Sequence, residues 1–311
     1  MSNPQNVVLI TGAAGFLGQY FSRYYFQLGW KVVGIDTFVL EKVSKENLSS
    51  YYQMKLPDSR INSILMSHKF DLCIHCAGSA SINMSVEDPS TDFHSNTVIT
   101  FELLNALRLH SPECRFIYLS SAAVYGNPDF QPIDEIKTKV CPVSPYGFHK
   151  FQGEQLCAEF SSIYGIQTAV ARIFSAYGPG LRRQVIWDII QKATAESHIV
   201  LQGTGLESRD FIHALDIADA IGSIAKNALM EGEVYNVANG LEVSIRDLAK
   251  LIISNLSFHV HLEFDGKVPK GVPLNWCSNI SKIESLGFKP KVTLDEGIKR
   301  FTKWMLIELD N

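Results

Sequence analysis

Short apolar runs alternate with longer amphipathic segments along the first half of the chain. Runs that predict buried strands cover residues 7–11, 31–36, 71–76, 115–119 and 168–173, with a weaker candidate at 51–55. Helical spacing covers residues 16–28, 58–68 and 89–110, and a further helix opens at Ser144 and Pro145. Strands buried on both faces and alternating with helices predict a parallel sheet covered on each side, the doubly wound α/β class.

The pattern becomes less regular after residue 174, where Gly-Pro-Gly at 178–180 and Gly-Thr-Gly at 203–205 interrupt it. We therefore expect a first domain of residues 1–174 with a Rossmann-type sheet, which residues 211–238 rejoin. Residues 175–210 and 239–311 form a smaller mixed lobe in this prediction, and the chain ends in an amphipathic helix. Ligands of doubly wound sheets bind beyond the carboxyl ends of the strands.

Composition excludes several classes of protein. The 311 residues are 46% hydrophobic and 19% charged, which is typical of a globular chain, and the net charge of −4 argues against a nucleic-acid surface. No apolar stretch reaches the roughly 20 residues needed to cross a membrane, so no membrane partner is expected. The polar start leaves no room for a signal peptide, which predicts a cytoplasmic protein.

A glycine-rich turn follows the first strand directly and opens the first helix. It reads Gly12-Ala-Ala-Gly15-Phe16-Leu17-Gly18. Glycines let the backbone approach a pyrophosphate closely, and the helix N-terminus supplies N–H donors. Strand, turn and helix in this order predict a dinucleotide site.

Asp36 lies at the end of the second strand, about 20 residues beyond the turn, where a carboxylate holds the ribose hydroxyls of adenosine. The same carboxylate repels the 2′-phosphate of NADP, and the neighbouring Thr37 and Phe38 supply no arginine. The expected cofactor is NAD.

Tyr146 and Lys150 are spaced i, i+4 on a predicted helix, which places both side chains on one face. A tyrosine near an ammonium and an oxidised nicotinamide has a lowered pKa and can exchange a proton with a hydroxyl. Ser121 ends the strand 115–121, where it can hydrogen-bond the reacting oxygen. These three residues are the predicted catalytic group.

Together with the glycine turn, the segments at residues 120–126, 146–150, 172–180 and 209–213 occur in a characteristic order. Because these segments follow one another in this order, the chain resembles the extended short-chain dehydrogenases/reductases. More narrowly, it resembles the NAD-dependent epimerase/dehydratase family. The resemblance covers nearly the whole chain. It implies a Rossmann domain for NAD, a carboxyl-terminal lobe for a nucleotide-sugar, and a homodimer formed through the helices that begin near Pro89 and Pro145.

The resemblance also assigns roles to single residues. Tyr146 is the general acid/base, Lys150 binds the nicotinamide ribose, and Ser121 orients the substrate. Further positions that line the NAD site are Asp58, Ala77, Gly78, Asn96 and Phe174. Arg209 matches an arginine that contacts the substrate diphosphate; the alternative is a surface arginine paired with Asp210.

The sequence departs from the family pattern at three places, and the first of them narrows the activity. Ala122 and Ala123 stand where 4,6-dehydratases carry an Asp-Glu pair and decarboxylases a glutamate, so the segment is closer to UDP-galactose 4-epimerase types. Ser175 stands where an asparagine usually contacts the sugar-nucleotide. His149 replaces the common Ser or Thr before the lysine, about 100° round the helix from Lys150, which favours a packing or solvent-facing role.

The leading hypothesis is therefore a nucleotide-sugar epimerase that works through a 4-keto intermediate. A reductase of 4-keto sugars would use the same residues, and a non-catalytic dinucleotide-binding protein is a third hypothesis. No metal site is expected, because Cys73 and Cys76 lie three apart on a strand and should diverge. The segment 182–184 with Trp187 fits either a phosphate or base pocket or a solvated helix start.

Overall fold

The computed structural model describes residues 5–39, 45–256, 258–267 and 274–309. Twelve strands are found among them: β1 (Val7–Thr11), β2 (Lys31–Asp36), β3 (Ser50–Gln53), β4 (Leu72–His75), β5 (Arg115–Ser121), β6 (Thr168–Ile173), β7 (Ser175–Tyr177), β8 (His198–Leu201), β9 (Ser208–His213), β10 (Glu231–Val237), β11 (Glu242–Ser244) and β12 (His261–Phe264). Every strand expected from the sequence is present, with shifts of a few residues at the ends.

The helices in the described residues are α1 (Phe16–Gln27), α2 (Arg60–Ser67), α3 (Ile82–Glu87), α4 (Pro89–Phe93), α5 (Ile99–His110), α6 (Pro145–Tyr164), α7 (Gln184–Ala195), α8 (Ala214–Asn227), α9 (Ile245–Ser254), α10 (Ser281–Glu284) and α11 (Leu294–Leu309). The helix expected over residues 89–110 is α4 and α5 joined by a π-helical segment, His94–Val98. Insertions of this kind often occur at functional sites. None of the described helices is long and apolar enough to cross a membrane.

The central sheet has seven parallel strands in the order β10-β6-β5-β4-β1-β2-β3. Helices cover both faces, so the predicted doubly wound α/β fold is confirmed. The register pairs Thr11 with His75 and Ser121 with Ile173. The carboxyl ends of the central strands therefore lie along one edge, which is where such a sheet binds its ligands.

Two apolar cores cover the faces of this sheet. Cys73 is buried in the core that contains α2 and α5, whereas Cys76 packs against the core that contains α1 and α8. The two thiols lie on opposite sides of the sheet, as residues three apart on a strand should.

Two small sheets complete the fold, one of order β11-β9-β7 and one of order β12-β8. They form a third core with α7, α9 and α11. The predicted boundary at residue 174 falls between β6, in the central sheet, and β7. Of the segment 211–238, β10 lies in the central sheet, while the end of β9 belongs to the three-stranded one. The division into two domains remains a prediction.

A buried ion pair ties α6 to the central sheet. Glu154 and Arg172 are 4% exposed each, and two hydrogen bonds of 2.6 and 2.9 Å join them. Ser120 donates to the same carboxylate, and Arg172 donates to the Tyr125 hydroxyl at 2.8 Å. Tyr125 then donates to Asn236 at 2.7 Å, so the charged pair lies in a buried network of hydrogen bonds.

Replacing Glu154 with Gln should destabilise the protein by about 3–5 kcal/mol, because it leaves the Arg172 charge buried without a counter-ion. Urea unfolding followed by circular dichroism measures the change. Asp295→Asn, which removes an exposed pair with Lys299 on α11, is the control and should cost less than about 1 kcal/mol. Equal stability of the two variants would contradict the role given to this pair.

Candidate functional site

The glycine turn holds β1, β2 and α1 in close contact. Gly12 donates to the Ile35 carbonyl at 2.8 Å and has a φ of +70°, which a side chain would strain. A Cβ at Gly12 would lie 2.8 Å from the Ala77 amide nitrogen, and one at Gly18 would overlap the Gly12 carbonyl oxygen. The turn can therefore close only with glycine at both positions.

The first turn of α1 is suited to bind an anion. The N-cap residue is Gly15, which has no side chain to accept from the first amides of the helix. No acidic residue lies in the first turn either. The N–H groups of Phe16, Leu17 and Gly18 lie in the first turn of α1, where no preceding carbonyl of the helix can accept a hydrogen bond from them. These donors and the helix dipole fit a pyrophosphate.

The Asp36 carboxylate lies beside this turn. One oxygen accepts from the Ala14 amide at 2.9 Å and the other from the Thr37 amide at 2.6 Å. Its position at the end of β2, next to the glycine turn, is the one expected for a group that binds ribose.

Asp58 lies apart from these residues. Its carboxylate pairs with Arg60 at 2.6 Å, and the hydrogen bonds from Arg60 lower the pKa of Asp58 to about 2. It lines a hollow of about 400 Å³ together with α5 residues such as Ile99 and Glu102. Within the described part of the chain, no hydrogen bond joins Asp58 to the glycine turn, and its role at the NAD site remains a prediction.

Gly78 and Asn96 meet on the other side of the turn. Ala77 donates its amide to Thr11 Oγ1 at 3.2 Å, and a Cβ at Gly78 would lie only 2.7 Å from Asn96 Oδ1. Asn96 is 1% exposed and its Oδ1 has no hydrogen-bond partner. A buried acceptor without a partner costs free energy unless a ligand supplies a donor. Dinucleotides carry such donors, in ribose hydroxyls and a carboxamide, so the residues present fit NAD.

Lys150 is buried at the carboxyl edge of the sheet. Its ammonium donates to the Leu119 carbonyl at 2.9 Å and lies 6.0 Å from the centre of the Tyr146 ring. Burial lowers the pKa of Lys150 to about 8, although the charges of Cys76 and Asp92 oppose this shift. The group is therefore largely protonated at neutral pH and remains a cation.

Tyr146 has a pKa above its ordinary value, since burial outweighs the hydrogen bond with Ser121 and the charge of Arg183, which both lower it. The sequence led us to expect that the Lys150 ammonium and an oxidised nicotinamide together lower this pKa. In the protein alone the ammonium is directed at a backbone carbonyl rather than at the phenol, and desolvation dominates. A cationic ligand beside the phenol would oppose the effect of burial.

Small and aromatic side chains pack in one cluster with Tyr146. Ala122 and Ala123 are buried in one cluster with Tyr146 and Phe174. Phe174 contacts Trp276 edge to face, with ring centres 6.1 Å apart. These neighbours exclude water from the phenol without supplying a second proton donor.

Arg209 lies over the Trp276 ring at 5.5 Å. Within the residues that the structure describes, its hydrogen bonds come from Nη1, which donates to the carbonyls of Ser208 and Leu274 at 2.7 and 3.0 Å. Asp210 instead accepts from the amides of Asn239, Gly240 and Ser278, at 2.8 to 3.1 Å. The alternative pairing of Arg209 with Asp210 is therefore wrong. Ser175, at the start of β7, follows Phe174 directly in the chain.

One residue near Tyr146 was not assigned to the site from the sequence. Arg183 caps α7, donates to the Ala80 carbonyl at 3.3 Å, and its charge acts on Tyr146. Arg182 instead pairs with Glu308. The sequence signal was the Arg-Arg-Gln segment, which a solvated helix start explained equally well.

The structure also brings His198, His261 and Glu263 together on β8 and β12, with potential ligand atoms within 4.8 Å of one another. All three side chains are exposed. Glu263 pairs with both rings, at 3.3 and 3.2 Å, and this lowers its pKa. The group lies on the two-stranded sheet of β12 and β8.

A buried chain of hydrogen bonds supports the edge on which the site lies. Thr11 and His75 are joined at 2.7 Å through Nδ1, and His75 Nε2 lies 3.2 Å from Thr100 Oγ1. Thr100 in turn donates to the Asn96 carbonyl at 2.5 Å. Burial, with a smaller effect of the Lys150 charge, lowers the pKa of His75 to about 3.

Comparison with known proteins gives a consistent result. The model of the NAD-dependent epimerase/dehydratase family matches residues 8–238. A putative UDP-glucose 4-epimerase of Methanocaldococcus jannaschii is 29% identical, covering 96% of this chain and 98% of the relative. The UDP-glucuronate 4-epimerase of Thermodesulfobacterium geofontis is 26% identical, covering 95% of each chain.

Among solved structures, the UDP-N-acetylglucosamine 4-epimerase of Methanobrevibacter ruminantium M1, in complex with UDP-N-acetylmuramic acid, is similar over 98% of this chain and all of that one. The TM-score is 0.87 and the sequence identity 26%. A UDP-galactose 4-epimerase structure gives a TM-score of 0.83 at 26% identity, covering 97% of this chain and 99% of that one.

His75 should make the protein less stable in acid. Between pH 6.5 and about 3 the unfolded chain binds a proton on His75 that the folded protein excludes, so stability falls as the pH falls through this window. Urea unfolding at pH 7.5 and pH 4.5 should show that wild type loses about 2–3 kcal/mol more than His75→Gln. Identical losses in the two proteins would show that His75 does not stay neutral in the fold.

Proposed function

Since the chain belongs to the NAD-dependent epimerase/dehydratase family, we propose that it is a nucleotide-sugar 4-epimerase. The observation that supports this most is the surroundings of Tyr146. The phenol is buried next to Ser121 and Lys150, while the two residues after Ser121 are alanines. A 4-epimerase removes one proton from the substrate and later returns it, so a single acid/base group is sufficient for this reaction.

The residues at the carboxyl edge fit NAD. The α1 amides would hold its pyrophosphate, Asp36 its adenosine ribose, and Lys150 its other ribose, with Asn96 supplying an acceptor. Bound NAD would accept and return a hydride at C4 of the sugar.

The protein's own residues manage the proton. Tyr146 removes the proton of the C4 hydroxyl and returns it to the same oxygen after the 4-keto sugar has rotated in the site. Ser121 hydrogen-bonds that oxygen and keeps it against the phenol. Burial disfavours the phenolate in the protein alone, and the positive charge of an oxidised cofactor beside the phenol would oppose this effect.

The alanines separate this activity from water loss or decarboxylation. Dehydration needs groups that protonate a leaving hydroxyl and remove a neighbouring proton. The methyl groups of Ala122 and Ala123 can do neither. A 4-keto-sugar reductase would use the same three residues and differs in releasing its oxidised cofactor after each turnover.

The position of Arg209 favours a substrate that the protein binds through a nucleotide diphosphate. Its Nε and Nη2 groups are not used by the hydrogen bonds described above, and a guanidinium binds phosphate through two parallel donors. The relatives named above act by their names on UDP-sugars. We therefore take UDP-hexoses as the first substrates to test, with Ser175 near the sugar.

The helices α4, α5 and α6 support a homodimer. These helices carry aromatic and apolar residues, which suit either a partner or the central sheet. The structure divides them: Leu104 and Phe160 are buried, whereas Phe93, Phe101 and Phe148 are 38 to 52% exposed. The exposed set forms the face that we propose for dimerisation. A cytoplasmic location also remains a prediction.

Tyr146→Phe should lower kcat about 10²–10⁴-fold with UDP-galactose and UDP-glucuronate as test substrates, because general acid/base transfer contributes that much. NAD binding should be unchanged. Tyr164→Phe on the same helix is the control and should keep full activity. A Tyr146→Phe enzyme that works within a few-fold of wild type would disprove the mechanism.

A further inference from the structure

The amide of Asn96 is oriented by its neighbour on α4. Its Nδ2 group donates to the Asp92 carbonyl at 3.2 Å and to the Asp92 carboxylate at 3.1 Å. A carboxylate can only accept, so a flipped amide would place two acceptor oxygens against each other. Asp92 therefore decides that the oxygen of Asn96, rather than its nitrogen, lies at Gly78.

The other carboxylate oxygen of Asp92 contacts His149 Nδ1 at 2.6 Å. Asp92 is 2% exposed, and a carboxylate so buried is costly without a partner. The ring of His149 also packs edge to face on Phe93, at 5.4 Å between centres. The imidazole thus fixes the carboxylate from the side opposite Asn96.

This contact joins two elements of the site. His149 directly precedes Lys150 on α6, while Asp92 and Asn96 lie on α4 and the π-helical segment. The Asp92 charge also acts on Lys150 and Tyr146, where it favours the protonated form of each group. Ser or Thr at position 149 would have no imidazole ring to reach Asp92, so the contact depends on the histidine of this chain.

We propose that Asp92 and His149 are positioning residues for the cofactor. They hold the Asn96 oxygen toward the dinucleotide, as an acceptor for one of its N–H or O–H donors. The inference rests on the proposed function, since it concerns how tightly the same site binds NAD.

The test is calorimetric titration of the full chain, freed of bound dinucleotide, with NAD and separately with UDP. Asp92→Asn lets the Asn96 amide turn over, so the Kd for NAD should rise about tenfold or more. His149→Phe keeps the ring but removes the donor, and should weaken NAD binding as well. His149→Asn restores an N–H near the Nδ1 position and should recover most of the affinity. UDP binding should change less than about twofold in every variant.

Thr97→Val is the matched control. It removes hydrogen bonds from the π-helical segment to Gln152 and to the His149 carbonyl, at 2.9 and 3.3 Å, and leaves the Asn96 amide untouched. It should bind NAD as wild type does.

Two results would overturn the inference. One is wild-type NAD affinity in Asp92→Asn. The other is a parallel loss of NAD and UDP binding that Thr97→Val shares, because this would reveal a general structural effect. A wild-type chain that binds UDP but no dinucleotide would refute the proposed function itself, and the inference with it.

Discussion

The in-register parallel pairing of the central strands is the constraint on which the rest of the structure depends. It places the ends of β1, β4 and β5 along one edge, so that the glycine turn, Gly78 and Ser121 lie at this edge of the sheet. A one-residue slip of any of these strands would turn its buried side chains to the opposite face. The contact of Gly12 and Gly18 then brings α1 against β1 and directs its free amides at this edge.

Helix α6 brings the remaining groups to the same edge. Tyr146, Lys150 and Glu154 are spaced four apart and are all buried. Two glycines permit this packing: a Cβ at Gly147 would lie 2.7 Å from the Ala123 carbonyl oxygen, and one at Gly153 would overlap the Tyr118 hydroxyl.

The three buried groups of α6 are stabilised in different ways. Glu154 is balanced by the charge of Arg172, whereas Lys150 donates to a backbone carbonyl and Tyr146 is protonated in the protein alone. The structural ion pair and the reactive pair thus share one helix face. We infer that Glu154 anchors α6 while Tyr146 and Lys150 are left to respond to ligands.

Much of this could be predicted from the sequence because it depends on local pattern. Periodicity predicted the strands of the sheet, glycine spacing predicted the turn, and the i, i+4 spacing brought Tyr146 and Lys150 together. Each of these signals is contained in fewer than about twenty residues.

The features that could not be predicted depend on residues far apart in the chain. The partner of His149 is Asp92, 57 residues away, and the sequence favoured a packing or solvent-facing role for the histidine. Arg183, the N-cap residue of α7, donates to the carbonyl of Ala80, 103 residues away. The direction of the Tyr146 pKa follows from burial, which spacing alone does not reveal.

The cofactor that the protein retains distinguishes an epimerase from a reductase. The full chain is purified without added dinucleotide and denatured, and the released nucleotides are identified and counted by chromatography. An epimerase returns its hydride within one turnover, so the account predicts close to one NAD per chain. An empty site, or NADP, would contradict it and would favour a reductase with exchangeable cofactor.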